Sequence, residues 1–173
     1  MYRLFFLMLT LGVAPALHAR ADAQINGYVI SIADGDTLTL LTADKERVKV
    51  RLAEIDTPEK KQPYGQKAKQ ELASLAFNHS AQVSVIDTDR YGRVVGRVVV
   101  DDLDVNAELV RRGAAWVYRD YLKRTDLLPL EAEARRQRKG LWALPESERM
   151  PPWQWRKEQR ENRAAARVAA GSN

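Results

Sequence analysis

The sequence contains no cysteine, two histidines and a single long apolar run. Without cysteine there are no disulfides and no cysteine-linked lipid, so the domain has to stand on its apolar core alone. Thiolate ligands are also removed from any metal site. The histidines offer little in their place. His18 lies in the N-terminal apolar stretch, and His79 stands alone near the end of an expected helix, where an imidazole is ordinarily solvated. The apolar run, Leu4 to Leu17, is shorter than the roughly 20 residues a membrane-spanning helix needs. Arg3 precedes it, and Ala21-Asp22-Ala23 follows with Ala19-Arg20-Ala21 as a second small-residue pattern. This arrangement predicts a signal peptide over residues 1–23 and a protein that is secreted or periplasmic. There is no internal repeat.

What is present suits one soluble domain. The 173 residues are 29% charged and 45% hydrophobic, enough for one core and hardly enough for two. The net charge of +5 and the pI near 9.6 favour polyanionic partners without identifying one. INGYVISIADGDTLTLL alternates on both sides of Asp34-Gly35-Asp36, as a hairpin does, and RVKVRL adds a third strand with Val48, Val50 and Leu52 inward. Ala68, Leu72, Leu75 and Ala76 have helical spacing between Tyr64 and Phe77. AQVSVID and RVVGRVVV read as two further strands, with Asp101-Asp102 turning the chain after them. Asn106 is placed to cap a short helix that Gly113 stops, AAWVY reads as extended, and LLPLEAEARRQRK reads as a helix ended by Gly140. The expected fold is therefore α+β: a five-stranded OB-fold β-barrel over residues 24–155 with about three α-helices. A basic tail over 156–173 is expected as a disordered segment or frayed helix that adds non-specific affinity for polyanions. Trp153 and Trp155 pin its start to the domain. Nothing demands more than a monomer.

Three polar clusters punctuate the strands: Asp34-Gly35-Asp36-Thr37, then RLAEIDTPEK over residues 51–60, then Asp89-Arg90-Tyr91-Gly92-Arg93. Alone, the first and third read as hairpin turns, and the second is balanced between a polar turn and a site. Together they supply more than turns need. Asp36 and Asp56 are hard oxygen donors suited to Ca2+ or a similar cation. Arg51 and Arg93 are planar forks for phosphate oxygens. Glu59 is a carboxylate left over to act as a base if Asp56 is committed to a metal. That set matches the needs of water attacking a phosphodiester. The odd offsets within RLAEIDTPEK require the strand to break before Asp56, and Pro58 is the expected cause. Glu54 reads as a bystander. Tyr91, beside two arginines, is a candidate for stacking on a base, and Tyr118 shares a possible substrate face with Trp116. Flanked by Ala114, Ala115 and Val117, Trp116 reads better as core.

DGDT, RLAEIDTPE and DRYGR, followed by VNAELVRRG and GLW, resemble the staphylococcal-nuclease (thermonuclease) family in that order over about residues 24 to 155. The resemblance implies an OB-fold and a Ca2+-dependent nuclease acting on DNA and RNA, with products carrying 3′-phosphate and 5′-hydroxyl ends. Carried over by position, Asp36 and Asp56 bind Ca2+ by carboxylate and Thr57 by its carbonyl. Arg51 holds the phosphate and Glu59 activates or orients water. Arg93 stabilises the transition state and assists the leaving oxygen. Tyr91 packs on a base or sugar, and Tyr118 contacts a terminal phosphate. The loops before Tyr64 and before Tyr91 are shorter than in the best-known members. The competing reading is a non-catalytic nucleic-acid-binding or protein-binding module on the same fold.

Overall fold

In the computed structural model the described residues are 23–171, so the expected signal peptide falls, but for Ala23, outside them. Strands β1 (Gln24–Ile32), β2 (Thr37–Leu41) and β3 (Arg47–Leu52) form the expected meander. A two-residue strand β4 (Ile55–Asp56) follows, then helix α1 (Gly65–Ala76). Next come β5 (Ser80–Thr88), β6 (Val94–Val100), a short β7 (Leu103–Asp104) and helix α2 (Val105–Arg111). Then follow β8 (Trp116–Val117), α3 (Leu127–Arg136) and α4 (Pro152–Gly171).

The five long strands run in the order β3-β2-β1-β5-β6, each pair antiparallel. Parallel pairing of β3 with β6, Val50 opposite Val94 and Leu52 opposite Gly96, closes them into a barrel. Alternation along the strands sends Val29, Leu38, Leu40, Val50, Val83 and Val98 inward, where Leu72 of α1 and Leu109 of α2 complete the core. This is the expected OB-type barrel.

Among the described residues it carries four α-helices where the sequence predicts about three. The fourth, α4, is a helix through the segment from residue 156, where the sequence predicts a disordered segment or a frayed helix. Its start is held by apolar contact. Trp116, Trp142, Leu141 and Ala134 form a second buried cluster against which Trp153 packs, and the Trp116 ring lies 4.4 Å from Trp142 and 5.8 Å from Trp153, edge-on in both cases. An anchored first turn removes the nucleation cost that makes a charged, alanine-rich tail look weak when read alone. The boundary at residue 155 therefore cuts through a helix, one residue before a side chain of the site.

Two further expectations are corrected. The cap of α2 is Asp104, whose Oδ1 accepts from the Ala107 N–H at 2.9 Å. Asn106 is buried inside the helix, where it accepts from the Val98 N–H at 3.0 Å and donates to the Ala53 carbonyl at 3.0 Å. The break before Asp56 comes at Glu54, which takes a left-handed backbone conformation (φ 65°), and not at Pro58. Glu54 is no bystander. Its carboxylate is buried and accepts from the Lys123 and Arg124 N–H groups at 2.7 and 2.9 Å, while its carbonyl accepts from Tyr118. One residue thus turns the chain toward Asp56 and ties down the segment that carries Tyr118.

Candidate active site

The β1–β2 turn, the β3–β4 turn and the β5–β6 hairpin open onto one cleft of about 870 Å3, lined by Asp36, Arg51, Asp56, Thr57, Glu59, Tyr91, Arg93 and Tyr118. Every expected site residue therefore shares one cavity, although they are not all in mutual contact.

Asp36, Arg51, Asp56 and Thr57 form a tight group. The Thr57 N–H and hydroxyl both donate to Asp36 Oδ2, each at 2.9 Å. This contact requires Gly35, because a Cβ there would stand 2.7 Å from Thr57 Oγ1 and 2.8 Å from Ala68 Cβ. The Arg51 guanidinium joins the two carboxylates, with Nη1 3.1 Å from Asp36 Oδ2 and Nη2 donating to Asp56 Oδ1 at 2.8 Å. Its Nη1 also donates to the Leu52 and Ile55 carbonyls at 2.9 and 3.0 Å, which fixes the turn. A guanidinium has five N–H donors, so among the described residues Nε–H and one Nη2–H are left to meet a substrate oxygen.

Burial sets the electrostatics here. Desolvation pushes the Asp56 carboxyl upward, and the Arg156 and Arg51 guanidiniums pull it back. Asp34, which reads in the sequence only as a turn residue, is raised to about 6 by burial and then by the charge of Asp36. Two acidic groups two residues apart in a dry turn cannot both ionise cheaply. This is an environment in which an added cation is favourable. Among the described residues no cluster of three or more carboxylates, histidines or cysteines is assembled for a metal. The donor chemistry of Asp36, Asp56 and the Thr57 carbonyl, all hard oxygen, nevertheless suits a hard cation.

Glu59 sits at the mouth. Its N–H donates to Gln62 Oε1 at 2.9 Å, and Gln62 in turn donates to the Met150 carbonyl at 3.0 Å. The loop is tight enough that a Cβ at Gly65 would fall 2.0 Å from the Glu59 carbonyl oxygen. Glu59's carboxylate accepts from Arg156 Nη1 at 2.8 Å, and the same guanidinium donates to Asp56 Oδ2 at 2.7 Å. Arg156 is the residue that sequence reasoning missed. Its only available signal was its place just after Trp153 and Trp155, which were read as anchors of a tail.

Arg93 belongs to the hairpin. Its Nε donates to Asp89 Oδ2 at 2.6 Å, and among the described residues its terminal nitrogens have no hydrogen-bond partner. Tyr91 is 69% exposed, with the Arg90 and Arg93 guanidiniums 4.9 and 5.6 Å from its ring centre. Tyr118 stacks on Trp153 at 5.2 Å with rings 6° from parallel and meets Tyr121 edge-on at 4.8 Å. Burial and then the Asp56 charge raise its hydroxyl pKa. Trp116 is core, as expected.

Comparison with known proteins agrees with this geometry. The family described as staphylococcal nuclease homologue matches residues 49–144, more than half of the chain. The chain belongs to the staphylococcal nuclease homologue family. Among its relatives, protein ParB of Escherichia coli is 43% identical over 154 residues, covering 83% of this chain and 85% of that protein. Micrococcal nuclease of Shigella flexneri is 43% identical over 149 residues, covering 79% and 83%. An uncharacterized endonuclease of Escherichia coli is 42% identical over 135 residues, covering 78% and 86%. The matched region 49–144 takes in Arg51, Asp56, Thr57, Glu59, Tyr91, Arg93 and Tyr118, whereas Asp36 and Arg156 lie on either side of it.

Proposed function

We propose that this chain is an exported, Ca2+-dependent nuclease that hydrolyses phosphodiester bonds of DNA and RNA, leaving 3′-phosphate and 5′-hydroxyl ends. The observation that carries the reading is the pair of buried carboxylates, Asp36 and Asp56, held by the Arg51 guanidinium in a cleft that also holds Glu59 and Arg93. A structural turn gains little from burying two like charges, and a cation site needs them.

A bound Ca2+ would be held by Asp36, Asp56 and Thr57 and would polarise a phosphoryl oxygen. The chain's own residues do the rest. Glu59 accepts a proton from water as the water oxygen attacks phosphorus. The spare donors of Arg51 hold a non-bridging oxygen as charge accumulates on it. Arg93, with its terminal nitrogens uncommitted among the described residues, donates hydrogen bonds to the phosphoryl group and to the departing 5′ oxygen, which takes a proton from water and leaves as a hydroxyl. Tyr91 offers a ring face to a base or sugar, and Tyr118 offers its hydroxyl to a neighbouring phosphate.

The test is cleavage of labelled DNA and RNA by the mature protein with Ca2+ or with a chelator. Ca2+-dependent cleavage to ends that polynucleotide kinase phosphorylates at the 5′ side without prior dephosphorylation is the expected result. Binding without cleavage overturns the enzyme reading in favour of a binding module. Export is tested by N-terminal sequencing of protein from periplasmic and culture fractions, with a new N-terminus between residues 20 and 24 expected.

A further inference from the structure

The cleft does not end at Glu59. It continues into a second groove of about 320 Å3 between the Glu59 loop and α4, lined by Lys60, Lys61, Trp155, Arg156, Gln159, Arg160 and Arg163. Glu59, Arg156 and Arg160 line both cavities. The groove therefore starts at the carboxylate assigned to water.

Its charge is one-sided: Lys60, Lys61, Arg156, Arg160 and Arg163 against Glu59 alone. The positions 156, 160, 163 and 167 of α4 all carry arginine, and offsets of 4, 7 and 11 place them on one helical face. Lys157 and Glu161 face each other on a different side, 3.9 Å apart. Lys60, Lys61, Arg160, Arg163 and Arg167 have no carboxylate within ion-pair distance among the described residues. Arg156 is itself held by Asp56 and Glu59, and at 1.5 Å per residue the unpaired Arg160 to Arg167 cover about 10 Å, the axial length of about three stacked nucleotides.

We propose that this face of α4, together with Lys60 and Lys61, is a phosphate-backbone track that guides a polynucleotide strand into or out of the catalytic cleft. The proposal rests on the nuclease reading above and extends it to a binding surface outside that cleft. A row of uncompensated cations continuous with a phosphodiester site gains most from a polyanion that occupies both at once, since each neutralised phosphate releases counterions. An anionic membrane fits less well. Beyond its anchored first turns, the one large apolar side chain that α4 exposes among the described residues is Val168, whereas a membrane-surface helix needs an apolar face.

The experiment measures binding of fluorescein-labelled 20-mer and 3-mer oligothymidylate in chelator across a salt series. It uses the full mature chain and the variant Lys61→Gln/Arg163→Gln/Arg167→Gln. Removing three contacts should lower the salt slope of the 20-mer by about 2, at about 0.7 per phosphate on a single strand. Affinity for the 3-mer, too short to occupy cleft and track at once, should change little. The charge-preserving variant Lys61→Arg/Arg163→Lys/Arg167→Lys should keep the wild-type slope, showing that charge and not helix integrity is being read. An unchanged slope in the glutamine variant overturns the track. So does a loss confined to phosphatidylserine vesicles with 20-mer binding intact, which would assign the face to a membrane. Wild-type protein that shows the steep 20-mer slope yet cleaves nothing with Ca2+ refutes the nuclease reading and supports the track.

Discussion

Asp56 and Arg93 line the same cleft, yet the Asp56 side chain is 1% exposed and that of Arg93 is 27% exposed. Asp56 accepts from two arginines and lies in a strand paired to β8. Arg93 follows an exposed hairpin and touches the protein through Asp89 and the Tyr91 ring. The first region is built before substrate arrives, and its cost is met by folding. The second keeps donors free, so its interactions are made with substrate. Binding energy withheld until the transition state is the kind that raises rate. The hairpin should therefore govern catalysis with little effect on stability, whereas the buried group should govern both.

The sharpest way to break this comparison is Asp56→Ala. Removing this buried carboxylate takes away the partner that Arg51 and Arg156 share and leaves them Asp36 and Glu59 respectively, so stability should fall by about 3 kcal/mol, the low end for breaking a buried pair, along with cleavage. Chemical denaturation would show it, and a midpoint equal to wild type would mean the buried group is not a folding element. Arg93→Lys is the counterpart. Cleavage should fall by about 10²–10³, as for loss of one transition-state donor, with the melting temperature unchanged. A joint fall in rate and stability would erase the distinction.

Tyr91→Ala should weaken oligonucleotide binding in chelator by about 1–3 kcal/mol and leave folding alone. Asp36→Asn should weaken Ca2+ binding in a calorimetric titration, since a formal charge leaves the hard-oxygen set. The smallest effect is a pH signature of the buried turn. Asp34 in the folded chain titrates near 6, above its ordinary value of 3.8. The folded form therefore holds the extra proton, and this stabilising contribution is complete below about pH 4 and lost as pH rises through 6. In chelator, Asp34→Asn should raise the melting temperature at pH 7, with the gain vanishing near pH 4. A gain independent of pH would point to packing instead of charge.

Much of this was legible along the chain because it is local. Period-2 alternation marked the barrel strands, helical spacing marked α1, and the stop at Gly140 marked the helix that is α3. The three polar clusters marked the cleft, since a barrel gathers the ends of its strands. What was misread depended on partners distant in sequence. Asn106 resembles a helix cap, but Val98 and Ala53 claim its side chain. Glu54 resembles a solvated acid, but the N–H groups of Lys123 and Arg124 lie opposite it. Arg156 stands 100 residues from Asp56 in the sequence, and no spacing rule connects them.

The sequence by itself determined the barrel, the order of the clusters and the chemical types in the site, because alternation, turn residues and hard-oxygen or guanidinium chemistry are properties of short segments. Only the tertiary structure decided which charges meet. Packing of the Trp153 ring on the buried Trp116 and Trp142 sets the start of α4, and α4 then delivers Arg156 to Asp56 and Glu59 and lays its arginine face beside the cleft. Packing of apolar surface fixes helix position, and the long charged side chains go where the helix puts them.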